Sequence, residues 1–258
     1  MSERKSHEAL VGGQFGSSAE AYLTSAVHAR GADLEAIAGL AAGRSDARVL
    51  DLGCGGGHVS FSVAPYVREV VAYDLSREML DVVARSARER GLSNVGTREG
   101  AAEKVPFEAE SFDMVLSRFS AHHWRDFDAG LREAARVLKP GGVAGFVDAV
   151  AAPSPLLDTY FQTLEMLRDH SHVRDYSRAE WEAAMARAGL LPVSSSYFRI
   201  RLDFASWVER MKTPKVFVDA IRALQESASE HVTRYFETEA DGSFSIDVCF
   251  FKAVKARS

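Results

Sequence analysis

The chain has 258 residues, 47% of them hydrophobic and 26% charged, a balance that suits one large globular domain, with or without a cap. With 31 Lys and Arg against 36 Asp and Glu the net charge is −5, which excludes the electrostatic footprint of a nucleic-acid-binding protein. Apolar runs are short, the best being Val143 to Ala152 interrupted by Asp148, whereas a membrane span needs roughly 20 residues. The N-terminal residues lack the apolar core of a signal peptide, and Cys54 and Cys249 do not make a disulfide scaffold, so the expected location is cytoplasmic.

Residues 1 to 18 are polar and dotted with Gly12, Gly13 and Gly16, which reads as an arm that orders over a ligand. Apolar positions from Ala19 to Ala42 suit one or two helices with a break at Gly31. Arg48 to Leu52 is a strand, a glycine turn follows, and Val59 to Tyr66 is a helix. Strands at Glu69 to Tyr73, Val95 to Glu99, Phe112 to Ser117 and Val143 to Ala149 alternate with helices at Arg77 to Arg90 and Phe127 to Leu138. Lys139-Pro140-Gly141-Gly142 reads as the turn between the last of these helices and strands. Such alternation predicts an α/β fold, a doubly wound and mostly parallel sheet.

Past Ala151 the alternation fails. Helices are expected from Pro155 to about His170, from the capping box Ser177-x-x-Glu180 to Ala188, and over most of Phe204 to Phe236. Strands at Leu191 to Arg201 and Ser243 to Ala253 bring the sheet to seven. The expected organisation is one domain over 1–258: an arm and helices (1–42), a core (44–150), a helical cap (154–188 and 203–236) and last strands (191–201 and 243–253). The cap is expected above the carboxyl ends of the first, fourth and fifth strands.

Asp51-Leu-Gly53-Cys-Gly55-Gly-Gly57 joins a strand to a helix, the position of a nucleotide site, where glycines permit a tight turn and close approach. A dinucleotide fingerprint would need glycine where His58 stands, and the Asp51 carboxylate would repel a pyrophosphate. S-adenosylmethionine has no phosphate and carries an ammonium and a sulfonium, so it is the better match. Asp74, at the end of the next strand, is placed to accept hydrogen bonds from ribose hydroxyls.

The pattern (D/E)-x-G-x-G-x-G at Asp51 to Gly57 resembles the first motif of class I S-adenosylmethionine-dependent methyltransferases. Ala72-Tyr-Asp74-Leu-Ser-Arg-Glu-Met79-Leu, Glu99-Gly-Ala-Ala-Glu-Lys-Val-Pro106-Phe107 and Arg136-Val-Leu-Lys-Pro140-Gly-Gly142 resemble later motifs of the UbiE-like branch, which methylates small molecules. The resemblance implies a Rossmann-like fold with an antiparallel last strand. It also implies that Gly53 and Gly55, with Gly57 in the same turn, contact the methionine part, Asp74 the ribose, and Leu75 and Met79 the sugar and adenine. Where relatives carry Gly-Asp-Ala at the adenine edge this chain has Gly100-Ala101-Ala102, so backbone around Ala101 and Ala102, or Glu103, replaces the missing carboxylate; Glu103 could equally be a solvated acid. Ser117 is counted with the cofactor residues. Phe15 and Tyr22 resemble the aromatic arm that closes over the cofactor in such enzymes, Tyr22 being as compatible with a core position.

Methyl transfer from a sulfonium is an in-line displacement, which depends on holding nucleophile and methyl together. His122 and His123 follow the fourth strand at the ligand edge, and an imidazole with a pKa near 6.5 suits a general base. No ligand set with metal spacing accompanies them, so no metal is expected. Phe119, Trp124, Tyr176 and Trp207 are candidates to line a pocket for a flat substrate, and Arg210 to bind a substrate carboxylate. The expected activity is methylation of a hydroxyl, ring nitrogen or activated carbon of a small aromatic or heteroaromatic molecule. The alternatives are carboxyl methylation of a carrier-protein-bound acid and a catalytically silent cofactor-binding protein. Substrate identity and oligomeric state are not legible in the chain.

Overall fold

The structure is a computed structural model, and it describes residues 6–16 and 31–257, apart from the side chain of Phe15. Seven strands form one sheet in the order β3-β2-β1-β4-β5-β7-β6. They are β1 (Arg48–Leu52), β2 (Glu69–Asp74), β3 (Val95–Glu99), β4 (Phe112–Arg118), β5 (Leu138–Ala149), β6 (Leu190–Leu202) and β7 (Phe244–Lys255). The first five are parallel, and β7 runs antiparallel to both neighbours.

Burial follows the period of two that a pleated strand imposes. Met114 and Leu116 point into one core layer with Val49, and Val115 into the other with Leu50 and Leu52. Onto the first layer pack α2 (Ala32–Ala38), α3 (His58–Val63), α6 (Pro155–Arg168), α8 (Phe204–Arg210), α9 (Lys215–Glu226) and α10 (Glu230–Phe236), through residues such as Ile37, Val63, Phe161, Trp207, Ile221 and Phe236. Onto the second pack α5 (Phe127–Val137) and α7 (Arg178–Arg187), through Leu131, Trp181 and Met185. A smaller cluster seats α4 (Arg77–Glu89) by Leu80, Val83 and Ala87 against Phe61 and Ala72. Helix starts are written locally: Ser76, Asp126, Ser154, Asp203 and Ser229 each accept a backbone N–H of the first turn, and Ser177 with Glu180 forms the expected capping box. No described helix is long and apolar enough to cross a membrane.

Several expectations change. Residues 7–16, read as part of an arm that orders over a ligand, form helix α1 (His7–Gly16), tied down by His7 Nε2 against the His123 carbonyl (2.9 Å) and by Gln14 Nε2 donating to the Met211 carbonyl (2.7 Å). Half of the helical expectation over 19–42 lies outside the described residues, which show α2 and a 3-10 turn at Gly39–Ala41. The Lys139–Gly142 turn lies inside a strand, because β5 begins at Leu138, pairs with Phe112 and absorbs the irregularity as a register shift. Gly142 has no room for a Cβ there, which would lie 2.8 Å from the Lys139 carbonyl oxygen.

The cap expected over 154–188 and 203–236 divides. Helix α7 is a layer helix of the sheet, not part of a lid, because Trp181 stacks on Phe251 (centroids 5.0 Å) and meets Phe127 edge-on (4.6 Å). The segment between α6 and α7 does reach the carboxyl edge of the sheet, where the Val173 N–H donates to the His122 carbonyl (2.8 Å). If α7 is core, Trp181→Ala should cost about 3–5 kcal/mol in urea unfolding. A loss under about 1 kcal/mol would return α7 to the mobile parts of the molecule.

Candidate active site

The chain leaves β1 through Gly53, Gly55 and Gly57, all at positive φ (73°, 48° and 81°). Gly53 allows close approach, since a Cβ there would lie 1.8 Å from Ser120 Oγ. The Gly53 and Cys54 N–H groups donate to the Tyr73 carbonyl (2.8 and 3.0 Å). Asp74 braces the loop from β2: Oδ2 accepts from the Gly55 N–H (2.8 Å) and Oδ1 from the Ser76 N–H (2.9 Å). Tyr73 Oη donates to the Ala101 carbonyl (3.0 Å), drawing in the loop after β3. Loops from four parallel strands and α1 thus enclose one cavity.

Asp51 is 1% exposed and uses one oxygen only. Its Oδ2 accepts the Ser60 N–H (2.9 Å) and hydroxyl (2.6 Å), while Oδ1 is buried with no hydrogen-bond partner among the described residues. Burial pushes its carboxyl up to about 7, and Asp74 adds to this, against the Ser60 bonds and the Arg118 charge. An orphaned carboxylate oxygen on a cavity wall is a receptor for a hydrogen-bond donor, and best for a cation.

Of the residues singled out from sequence, Asp51, Gly53, Gly55, Asp74, Leu75, Met79, Ala101, Ala102, Glu103, Phe119, His123 and Trp124 line this cavity. Glu103 also accepts the Asp126 N–H (3.2 Å) at the start of α5. Gly57 does not line it; a Cβ there would lie 2.9 Å from both Phe61 and Val83, so its role is to seat α3 on α4. Ser117 points into the core with its hydroxyl buried. Tyr176 stacks on Phe127 (4.0 Å, 11°), and Trp207 packs edge-on against Phe244 (5.0 Å) under the Arg168 guanidinium. Arg210 is likewise not among the lining residues. An aromatic or basic side chain in these segments reads the same in sequence whether it packs on a neighbour or faces a ligand. Tyr22 and the Phe15 side chain lie outside the described residues.

Sequence reading missed His7, Glu8 and Val11 of α1, because a polar segment gives no sign of what it covers. It also missed Arg118, whose signal was available as a charge ending the apolar run of β4.

The two histidines are not equivalent. His122 does not line the cavity; its Nδ1 lies 2.5 Å from Asp148 Oδ1, and Asp148 also accepts the Ala121 and Ala149 N–H groups. Burial alone would lower the imidazole, but Asp148, with Asp175 and Glu165 behind it, raises it to about 9. It is therefore an imidazolium at neutral pH and has no lone pair to act as a base. His123 lines the cavity, and burial followed by the neighbouring His122 charge holds it well below the usual histidine range. Its Nδ1 lies 3.2 Å from the Ser171 carbonyl and its Nε2 3.9 Å from Asp169 Oδ2.

His122, Asp148 and Asp175 are close enough together to be compared with a metal site. In this structure His122 and Asp148 are joined directly by a charge-assisted hydrogen bond.

The fold and the glycine loop braced by Asp74 define a nucleotide-type site of a doubly wound α/β protein, and the comparisons give its class. Residues 50–146 match the family described as Methyltransferase domain. The chain is 48% identical over 200 residues to the uncharacterized protein YafE of Escherichia coli (strain K12), covering 78% of this chain and 97% of that one. It is 38% identical over 200 residues to the uncharacterized methyltransferase YcgJ of Bacillus subtilis (strain 168), covering 78% and 79%. The YcgJ crystal structure superposes with a TM-score of 0.83 over 88% of this chain and 99% of that one, at 33% identity. A demethylmenaquinone methyltransferase of Chlorobaculum parvum is 35% identical over 116 residues, covering 45% and 46%. The chain belongs to the S-adenosylmethionine-dependent methyltransferases, as a Rossmann-like transferase.

The raised His122 pKa has a consequence for stability. A pKa moved from 6.5 to about 9 contributes fully below about 6.5, and the contribution is lost as pH rises through about 9. The unfolding free energies of wild type and Asp148→Asn should therefore converge by about 2–3 kcal/mol between pH 6.5 and 10. A constant difference would place the His122 charge elsewhere.

Proposed function

We propose that this cavity holds S-adenosylmethionine and that the protein methylates a hydroxyl, ring nitrogen or activated carbon of a small aromatic or heteroaromatic molecule. The observation that carries the cofactor assignment is the unpartnered Asp51 Oδ1, a buried acceptor for the ligand's ammonium beside a loop too tight for side chains. In this reading Asp74 accepts from the ribose hydroxyls, Leu75 and Met79 flank the sugar and base, and Ala101, Ala102 and Glu103 border the adenine edge. When bound, the cofactor supplies a methyl group activated by a sulfonium.

The acceptor end of the same cavity has Phe119, Trp124 and Val11 as apolar surface and His123 as a polar group. Trp124 is held by its Nε1 donating to Ser120 Oγ (3.1 Å), so its plane is set before a ligand arrives. An aromatic acceptor suits these walls, and the relative named for demethylmenaquinone methylation is in keeping with one. His123 is uncharged at neutral pH and therefore has a lone pair, but an imidazole of low pKa is a weak base. It suits an acceptor whose proton is already acidic, such as a phenol, a hydroquinone or an enol. The same weakness favours, as a second reading, an acceptor that is anionic before it binds, including a carboxylate. In either case the residues act mainly by positioning and by excluding water.

Calorimetric titration with S-adenosylhomocysteine and NAD tests the cofactor assignment, and tighter binding of NAD would overturn it. Asp74→Ala should weaken S-adenosylhomocysteine by about 1.5–3 kcal/mol, since it removes acceptors for the ribose and the brace on Gly55. Wild-type affinity should rise between about pH 6 and 8 as Asp51 ionises near 7, while Asp51→Asn should bind more weakly with a flat profile. A screen of phenols, quinols and N-heteroaromatics for S-adenosylhomocysteine release, with mass analysis of the product, tests the acceptor class. Turnover only on carboxylic acids would replace it with the second reading.

A further inference from the structure

Gly130 stands inside α5, buried, with a φ outside the left-handed region, and it is not among the residues that line the cavity. A glycine within a helix is unfavourable relative to alanine, so its presence there calls for a packing reason. The reason is Trp124. A Cβ on Gly130 would lie 2.3 Å from Cε3 of the indole, 2.7 Å from Cζ3 and 3.1 Å from Cδ2. The benzo edge of the ring therefore rests on bare helix backbone.

The opposite edge of the indole is held as closely. Its Nε1 donates to Ser120 Oγ, and that hydroxyl packs so tightly on the loop after β1 that it leaves no room for a Cβ on Gly53. Nε1 itself would be 3.9 Å from such a Cβ. Two missing side chains, one in the glycine loop and one in α5, thus leave the space that Ser120 and Trp124 fill. Trp124 is 5% exposed, belongs to the second core layer, and lines the cavity with what remains. Atoms added at Gly130 would push the ring along the line from Cε3 to Nε1, toward the glycine loop and the cavity.

We propose that Gly130 sets, through Trp124, the largest aromatic acceptor that the cavity admits: the side chain missing from α5 lets the indole withdraw into the core and keeps the acceptor end open. The inference rests on the assignment of an aromatic acceptor to that end and adds what limits its size. Gly130 touches no ligand and is a positioning residue. One carbon added outside the wall takes a comparable width from inside it, and in a close-fitting apolar pocket a single methylene changes recognition by about tenfold or more.

The test is NMR titration of phenol and of 2-naphthol into the protein saturated with S-adenosylhomocysteine, for the wild type, Gly130→Ala, Trp124→Leu and the double variant. Gly130→Ala should weaken 2-naphthol by about tenfold or more and phenol by less than about threefold, with S-adenosylhomocysteine affinity within about threefold of wild type. Trp124→Leu removes the edge that a Cβ would meet. The double variant should therefore bind 2-naphthol within about threefold of Trp124→Leu alone, a rescue that general loosening of α5 would not give. An equal loss for both phenols, or 2-naphthol binding untouched by Gly130→Ala, would overturn the proposal. Should Gly130→Ala not fold, Trp124→Leu decides: it should shift the affinity ratio toward 2-naphthol by about fivefold or more, and an unchanged ratio would overturn the proposal. Wild type that binds S-adenosylhomocysteine but neither phenol would instead overturn the aromatic-acceptor reading, and this proposal with it.

Discussion

The site depends on the placement of β1 between β2 and β4. The loop after β1 turns toward α3, whereas the one after β4 carries the chain to α5 on the other layer. Adjacent parallel strands whose following segments diverge leave a crevice at their carboxyl ends. Two sides of the cavity wall follow from that divergence: Asp51 and the glycine turn on one, and Arg118, Phe119, Ser120, His123, Trp124 and Arg125 on the other. The close approach of Gly53 to Ser120 is where the two loops meet.

Around that crevice the protein has buried charge in two places, and the surroundings give each a different character. Asp51, Arg118 and Asp33 form one group, in which Asp51, a residue of the cavity wall, keeps one buried oxygen without a hydrogen-bond partner among the described residues. His122, Asp148 and Asp175 form the other, behind the wall, where the imidazolium is held chiefly by Asp148. The interior screens charge weakly, so neighbouring groups determine one another's protonation over several ångströms. His123 is the clearest consequence. Its ring centre is 4.2 Å from that of His122, and it stays neutral because it is buried and, next to that, because its neighbour is charged.

The C-terminal helices are part of the same construction. The segment after α6 bonds to the turn bearing the two histidines, through Val173 and Arg174 donating to the His122 carbonyl. Arg168 donates to the Trp207 carbonyl and accepts from Thr213 with its own, which joins α6 to α8 and the turn beyond it. Gln14 of α1 reaches the Met211 carbonyl from the opposite side. The cover over the site is therefore tied by backbone acceptors to a helical layer that shares the main core. Movement of α1 would be felt at the end of α8.

Much of this architecture was legible locally. Alternation of apolar residues specified the strands, capping residues the helix starts, and the glycine spacing after β1 the turn and the residues beside it, because backbone conformation and pleat direction depend on near neighbours. The same local rules misplaced Tyr176 and Trp207, since an aromatic residue looks alike in sequence whether it faces a ligand or packs on another aromatic ring. They also left His122 and His123 as one pair. What separated them was Asp148, 26 residues away, and what gave Arg118 its orientation was Asp33, 85 residues away. Sequence alone determined the class of fold and the nucleotide-type turn, which are built from short-range preferences. Only the tertiary structure decided which charged groups face the cavity and in which protonation state, because both depend on burial and on partners that folding brings together.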